Sequence, residues 1–508
     1  MMVTDYNCEY LGLSRLCLME SAGKSLAEEV GKIAVYAFSK PVKIIIFTGS
    51  GGNGGDGFVA ARYLLNRGYD VDIYMLKENI RSPHSKTNLD ILLNMKPRLS
   101  RLNIYNLKTL EDINNCELAN SVDSEYIIID GLLGTGIKGN LQMNIRRAIE
   151  IINESKGIKI SVDVPSGMDP LTGEVSDLAV IPDYTISFHK IKTGVRNAKE
   201  EVVGGLVTAD IGIPFEAEYF VNYGDFLRLN NRDSKSHKGN NGRLLIIGGN
   251  KDYSGAPAIA GMAAIGAGAD LVYVATPEKS AEAIKSTSPD LIVKSLEGDR
   301  LSLNHVDEIL DLSENVDAVL IGPGAGIDED TSKLFNILVS KIKMPIVLDA
   351  DALKQVELKL IKNREDIILT PHLFEFKSFF NVQNDLKLDI DSYDFEKVDE
   401  NITKFQQITR QIKGCVIVKG QYDLILWGNK FRINKSGNSG MTVGGTGDAL
   451  AGIVASLLAQ GLNAFDCACL GVFINGLAGD KAYDEKGNGF SATDLVAYVG
   501  SVIKDGLC

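Results

Sequence analysis

Several things are scarce in this chain, and each scarcity closes off a class of protein. Its 508 residues include seven cysteines, five histidines and one tryptophan. The cysteines (Cys8, Cys17, Cys116, Cys415, Cys467, Cys469 and Cys508) are odd in number and scattered, with no C-x-x-C pair. That pattern argues against a disulfide-stapled scaffold and a cysteine metal centre, and reads as free thiols in a reducing compartment. Positive charge is also short: 53 Lys and Arg against 66 Asp and Glu leave a net charge of −13. An evenly acidic chain repels phosphate backbones, so no nucleic-acid partner is expected. A local anion site made of backbone N–H groups needs no basic side chain and stays open. No apolar run approaches the roughly 20 residues of a membrane helix; the best candidate, "AGMAAIGAGADLVYVA", is broken by Asp270. The opening "MMVTDYNCEY" has neither a basic stretch nor an apolar one, so no signal peptide is expected. The expected location is the cytoplasm, with no membrane partner. No G-x-x-x-x-G-K-[ST] occurs, which excludes a P-loop.

What the chain does have is βα alternation and glycine. Apolar residues make up 45% and charged residues 23%, which suits a soluble chain with a large core. The length calls for two or three domains. In the first half, short β-branched runs ("KIIIF", "DVDIYML", "YIIID", "IKISVDV") alternate with helical stretches such as "FVAARYLLNRG" and "NIRRAIEIINESKG". Such alternation predicts a parallel sheet covered on both faces. The aperiodic stretch 213–242 predicts a domain boundary near residues 215–232. The pattern then restarts with "RLLIIGG", a Gly/Ala-rich helix from Gly255, "DLVYVA", "DAVLIGPG", "PIVLDAD", "DIILTPH" and "CVIVKG". "DLILWGNKFRI" reads as a hairpin turning at Gly428-Asn429, and polar residues 380–405 as an exposed helix or insertion.

The glycines gather at strand ends, and acids and amides travel with them. "SGGNGGDGF" (Ser50–Phe58) follows the first strand, "DGLLGTGIKGN" (Asp130–Asn140) ends another, and "VDVPSGMDP" (Val162–Pro170) a third. Ligands of open α/β sheets bind beyond the carboxyl ends of strands, so the three can converge. Gly49–Gly54 fits G-x-G-x-x-G, but a carboxylate at Asp56 would repel a pyrophosphate at that helix start, which weighs against a redox dinucleotide fold. Asp56 is expected to serve a hydroxyl or to cap a helix beginning at Phe58. Near the other end, "VGGTGDAL" (Val443–Leu450) opens a helix. The N–H groups of Gly445, Thr446 and Gly447, backed by the helix dipole, make an anion hole for a phosphoryl group. Asp448 beside it can take the proton of an attacking hydroxyl.

These motifs resemble a known family. "LMESAG", "GSGGNGGDG", "DGLLGTGIKG" and "SVDVPSGMD", in that order, are similar to the epimerase domain for hydrated nicotinamide dinucleotides, over roughly residues 1–215. The resemblance implies a Rossmann-like α/β sandwich in which Asn53, Asp130 and Ser166 hold K+, a hard cation suited by oxygens. It also implies substrate contacts from Gly52, Asn53, Gly54, Gly55 and Asp56, from the loop Gly134, Thr135, Gly136, Ile137, Lys138, Gly139 and Asn140, and from Asp163. Asp163 is the expected acid/base, with Lys192 as a weaker second. Ser21 and Gly52 stand where the family commonly has Asn.

The second half, residues 230–508, resembles the ribokinase-like dehydratase domain for hydrated NADH and NADPH. "SHKGNNGRLLIIGGNKDYSGAPAIAG", "GPGAG", "LDADAL", "TPHLFEF", "VKG" and "GGTGDAL" carry the likeness. It implies that Ala256, the loop of Gly322, Gly324 and Gly326, His372 and Asp448 meet the hydrated dinucleotide. It further implies that Lys419, Gly420, Gln421, Tyr422, Asp423, Gly445, Thr446 and Gly447 meet the nucleotide. Asp423 replaces the family's usual Thr, and "TPHLFEF" its commoner "TPHPGE".

The combined family is the bifunctional repair enzymes for hydrated NAD(P)H. Water added across the 5,6 bond of the reduced nicotinamide ring gives R and S hydrates. The first domain would interconvert them; the second would dehydrate the S form with ADP (ATP being the alternative) and Mg2+, releasing phosphate and AMP. A homo-oligomer is expected. Left open are a vitamin or sugar kinase with a non-catalytic N-terminal binding module, and a redox enzyme.

Overall fold

A computed structural model describes residues 2–120, 125–134, 141–230, 232–382, 386–387 and 395–507. The chain forms two compact units: Leu11–Pro214, and the opening helix Met2–Tyr10 together with the chain from Phe215 onward. Both limits differ from the expected domains 1–215 and 230–508. The opening helix joins the second unit because Asn7 Nδ2 donates to Ala217 O (3.0 Å), Asn7 Oδ1 accepts from Gly224 N (2.9 Å), and Tyr10 stacks on Tyr223. Residues from Phe215 already belong there because Asp225, fully buried, pairs with Arg432 at 2.7 Å and Phe226 enters the core.

In the first unit the strands are β1 (Lys43–Thr48), β2 (Val71–Met75), β3 (Leu102–Asn106), β4 (Tyr126–Gly131), β5 (Ile158–Val162), β6 (Tyr184–Phe188) and β7 (Gly205–Ala209). They form one parallel sheet in the order β3-β2-β1-β4-β5-β6-β7. The inner strands are buried on both faces, as in "IIIF" of β1, while edge strand β7 is only part-buried. That is why the inner strands read as unbroken apolar runs. The chain reverses its direction of travel across the sheet between β1 and β4, which opens a crevice beyond their carboxyl ends.

The second unit has β8 (Arg243–Ile247), β9 (Leu271–Pro277), β10 (Ile292–Leu296), β11 (Ala318–Ile321), β12 (Ile346–Leu348), β13 (Ile367–Leu369), β14 (Cys415–Val418), β15 (Asp423–Trp427) and β16 (Lys430–Asn434). Their order is β10-β9-β8-β11-β12-β13-β14-β15-β16, parallel up to β14 and antiparallel through the β15–β16 hairpin. Alternate residues of β8 feed two cores: Leu244 and Ile246 enter one, Leu245 and Ile247 the other. This is the two-residue period of a strand covered on both sides. The Gly/Ala-rich stretch forms the helix Gly255–Gly266, packed against the helix Thr446–Ala459. A Cβ on Gly452 would lie 2.0 Å from Ala260 O, so small residues set how closely these helices approach. Among the described residues no helix is long and apolar enough to cross a membrane.

Candidate active sites

The first site gathers the ends of β1, β4 and β5. The helix after β1 runs Gly52–Asn66, with Gly51 as its N-cap. It therefore starts six residues before the expected Phe58, and Asp56 lies inside it rather than capping it. The early start packs closely: a Cβ on Gly54 would meet Gly49 O at 2.4 Å, and one on Gly55 would meet Ser85 Oγ at 2.3 Å. The missing side chains of Gly54 and Gly55 thus serve helix packing. Asn53, in the first turn, donates from Nδ2 to Val162 O (2.6 Å) and Leu133 O (3.3 Å).

Asp130, fully buried at the end of β4, is ringed by neutral donors. Ser166 Oγ (2.5 Å) and Leu132 N (3.3 Å) donate to Oδ1; Ser166 N and Ser161 Oγ (2.9 Å each) donate to Oδ2. No Lys, Arg or His pairs with it among the described residues. Burial pushes its carboxyl upward, and these hydrogen bonds oppose the shift. Leu133 links the group: its N accepts no proton but donates to Ser166 Oγ (2.9 Å), and its O receives Asn53. Asn53, Asp130 and Ser166 are therefore together, as expected. Gly134 abuts them, since a Cβ there would lie 2.4 Å from Asn53 Oδ1. Thr135, Gly136, Ile137, Lys138, Gly139 and Asn140 lie outside the described residues.

Asp163 follows β5 with φ of 65°, a left-handed conformation costly for a side-chain-bearing residue. It is held there: Phe188 N donates to Oδ1 (3.1 Å), Ser187 Oγ donates to its carbonyl (2.9 Å), and Lys192 forms an ion pair with Oδ1. Lys192 also reaches Phe188 O (3.2 Å) and is mostly buried, so it is no solvated surface lysine. Asp56 is nine-tenths buried nearby. Burial first, and then the Asp163 charge, push its carboxyl well above the ordinary range, with Lys192 opposing.

The second site lies beyond β8, β11, β12, β13 and β14. Gly445, at φ of 99°, caps the helix Thr446–Ala459, and first-turn N–H groups of a helix lack intrahelical acceptors. Lys419, just past β14, would lie 3.4 Å from a Cβ on Gly447. Its Nζ is 3.0 Å from Asp349 Oδ1, which also accepts Thr370 Oγ1 at 2.7 Å. Gly322 packs its Cα against the same residue: a Cβ would meet Asp349 O at 2.0 Å. Gly326 N donates to Asp351 Oδ2 (2.9 Å), and a Cβ on Gly324 would touch Ala256 at 3.2 Å. Ala256, the loop Gly322–Gly326, Lys419 and the GGTGD turn are thus neighbours. Burial first, then the Asp349 and Asp351 charges, push the Asp448 carboxyl up to about 7, while Lys419 pulls it down.

His372 caps the helix Leu373–Phe379. Its Nδ1 accepts from Glu375 N (3.2 Å), and Glu375 Oε2 accepts from His372 N (3.1 Å). The ring is half-exposed, with Nε2 3.4 Å from Glu375 Oε1, and the His372 backbone bridges to that of Lys419.

Next to Lys419 opens a cavity of about 750 Å3, lined by Lys419–Asp423, Lys435–Ser439, Thr446, Gly447, Leu450 and Asn475 among others. The size suits a nucleotide. Asp423 sits in its wall. Oδ1 accepts from Gly420 N (3.2 Å) and Oδ2 from Asn434 Nδ2 (3.0 Å). Burial pushes this carboxyl up to about 6, against those two hydrogen bonds and Lys419. Above that pH the wall carries a negative charge, which would repel the phosphates of a nucleotide bound in the cavity. Asp423→Thr is therefore expected to lower the nucleotide KM about fivefold at pH 8, on the order of 1 kcal/mol of relieved repulsion. It should also remove the rise in KM as pH increases through about 6. Steady-state titration of the nucleotide at pH 5.5 and 8 checks both.

Sequence reasoning missed Asp349, Asp351, Lys435 and Asn475 as site residues. The signal for the first two was present in "LDADAL", two acids at a strand end; Lys435 and Asn475 belong to no glycine motif, and only the fold brings them in.

Two open α/β units, each with a carboxylate-bearing site at the carboxyl ends of its strands and one beside a nucleotide-sized cavity, define a two-site enzyme of the α/β class. A family model described as NAD(P)H-hydrate dehydratase matches residues 244–500, and one described as YjeF-related protein N-terminus matches residues 15–194. The bifunctional NAD(P)H-hydrate repair enzyme Nnr of Methanothermobacter thermautotrophicus is 45% identical over 511 residues, covering 100% of this chain and 95% of its own. The protein of that name from Pyrobaculum aerophilum is 38% identical, covering 99% and 97%. Among solved structures, a ribokinase-like superfamily protein from Enterococcus faecalis is similar with a TM-score of 0.49 and 24% identity, covering 57% of this chain and 96% of its own. The chain belongs to the family of bifunctional NAD(P)H-hydrate repair enzymes.

Proposed function

We propose that this chain repairs hydrated NADH and NADPH, with epimerisation of the R and S hydrates in the first unit and nucleotide-dependent dehydration of the S hydrate in the second. The observation that carries the reading is Asp448: a part-buried carboxyl with its proton affinity raised to about 7, beside Lys419 and a glycine-capped helix start. A base of that strength suits proton transfer near neutrality.

In the second unit the hydrated ring lies against Ala256 and the Gly322–Gly326 loop, and ADP fills the cavity from Lys419 to Asp423. Asp448 takes the proton of the ring hydroxyl as that oxygen attacks the terminal phosphorus. The N–H groups of Gly445, Thr446 and Gly447, with the Lys419 ammonium, stabilise the charge on the transferring phosphoryl group. Asp349 holds Lys419 in place. The ring nitrogen lone pair then expels phosphate, the resulting iminium loses a proton from C5 to the departing phosphate, and the 5,6 double bond is restored, leaving NAD(P)H, phosphate and AMP. Mg2+ would neutralise the nucleotide phosphates, held chiefly by those phosphates and water, with Asp351 offering a carboxylate oxygen of the class it prefers. ADP rather than ATP is the proposed phosphoryl donor.

In the first unit, Asn53, Asp130 and Ser166 fit K+. A fully buried carboxylate without a cationic side chain is costly, and all three residues offer oxygens. K+ would supply a fixed positive charge that anchors the loop after β4. Asp163 is the proposed base, aided by Lys192.

The test is absorbance at the reduced-nicotinamide band, starting from mixed R and S hydrates with Mg2+, K+ and ADP or ATP. Complete recovery is expected. Recovery that stops when S is exhausted would make the first unit a binding module only. A stable phosphorylated product without free phosphate would move the second unit to a small-molecule kinase.

A further inference from the structure

We propose that Asp56 is the catalytic acid of the epimerisation, working as a pair with the Lys192-clamped Asp163. This rests on the epimerase reading of the first unit and assigns its proton donor.

The geometry separates the two carboxyls by what touches them. Asp163 is saturated: it accepts from Phe188 N, pairs with Lys192, and is pinned at φ of 65° through its carbonyl. It carries the negative charge of that ion pair. Asp56 is nine-tenths buried, yet no side-chain hydrogen bond reaches its carboxyl among the described residues. It stands in the second turn of the helix Gly52–Asn66, whose first turn delivers Asn53 to the cation site. Asp56 thus follows β1 and Asp163 follows β5, both beyond the carboxyl ends of the strands. Burial and the Asp163 charge favour the acid form of Asp56, and the Lys192 charge, already paired with Asp163, opposes them only in part. Two adjacent carboxyls with opposed environments divide into an acid and a base.

The hydrated ring carries its hydroxyl on the carbon beside the ring nitrogen. Asp56 gives its proton to that hydroxyl oxygen. The carbon–oxygen bond breaks with its electron pair on oxygen, and water departs. The nitrogen lone pair forms a carbon–nitrogen double bond, and Asp163 offsets the resulting positive charge. Water adds to the opposite face, and its proton returns to the carboxyl pair. One water leaves and one enters, and no oxidant or reductant is needed.

The experiment uses the full chain with purified R hydrate in water enriched in oxygen-18, following R-to-S exchange by chromatography and the label by mass spectrometry. The unmodified protein is expected to incorporate one solvent oxygen per inversion. Asp56→Asn should lower the exchange kcat about 100-fold or more with KM little changed, as for loss of a general acid, and Asp56→Glu should restore part of it. Inversion that retains the original oxygen would overturn the proposal without needing any variant. So would an Asp56→Asn protein that exchanges at the unmodified rate. Absence of any exchange above the uncatalysed rate in the unmodified protein would overturn the epimerase reading itself, a result distinct from the other two.

Discussion

Asp448→Asn is expected to cut nucleotide-dependent dehydration of the S hydrate about 10^2- to 10^4-fold, the range for removal of a positioned general base. The loss should fall on kcat, because Asn keeps the shape of the site and the cavity beyond Lys419 is untouched. The base must be ionised to act, so the unmodified enzyme should lose rate as pH falls through about 7, tenfold per pH unit below it. The neighbours make this more than a single-site statement. Burial raises the Asp448 value most, Asp349 and Asp351 raise it further, and Lys419 lowers it. Removing the Lys419 charge with Lys419→Met should move the acid limb to higher pH; removing a negative neighbour with Asp351→Asn should move it lower. Stability should respond in the opposite sense to activity. A carboxyl whose folded value lies above its unfolded one stabilises the fold at low pH, and that stabilisation is lost as pH rises through about 7. Asp448→Asn removes the cost of ionising a part-buried carboxyl, so its thermal midpoint should exceed that of the unmodified protein at pH 8 and by a smaller margin at pH 5, the loss accumulating between about pH 4 and 7. Initial rates across pH 5–9 and thermal melts at the two pH values check the set.

Asp130→Ala should be the most damaging single change to the first unit, costing about 3–5 kcal/mol, the scale for deleting one member of a buried, fully bonded charged network. Ser166 Oγ, Ser166 N, Ser161 Oγ and Leu132 N would all lose their acceptor at once. Asp130→Asn keeps much of that volume but not the charge, and it separates folding from cation binding. If Asn53, Asp130 and Ser166 hold K+, raising K+ should raise the melting midpoint of the unmodified protein by mass action, and the response should vanish in Asp130→Asn. A midpoint insensitive to K+ in the unmodified protein would remove the cation from this site. Calorimetry in K+ and in a bulky organic cation provides the comparison.

Much of the site was legible because glycine and acid positions are local demands of the backbone. "NGGDG", "DGLLG" and "VDVPSG" each follow the end of a strand and "GGTGD" opens a helix, and Asn53, Asp130 and Ser166 do come together, as do Lys419 and the GGTGD turn. Helix boundaries were less legible. A run of glycines looks like a loop, yet Gly52–Gly57 is helical because the absence of side chains lets the turn pack on Gly49 and Ser85. Packing outweighed the low helix propensity of glycine.

By itself, the order of apolar runs, glycine knots and acids determined the two α/β sheets, the ends of the strands that carry the chemistry, and the residue types available there. Those are properties of short segments: periodicity, turn chemistry and the charge of a side chain. Only the tertiary structure decided how distant residues share a fate. It joined the opening helix to the second unit through Asn7, set Lys192 on Asp163, hung Lys419 from Asp349, and buried Asp56 with no side-chain hydrogen bond to its carboxyl among the described residues. The proton affinity of a carboxyl depends on burial and on charges within a few ångströms, and no short stretch of sequence contains that information.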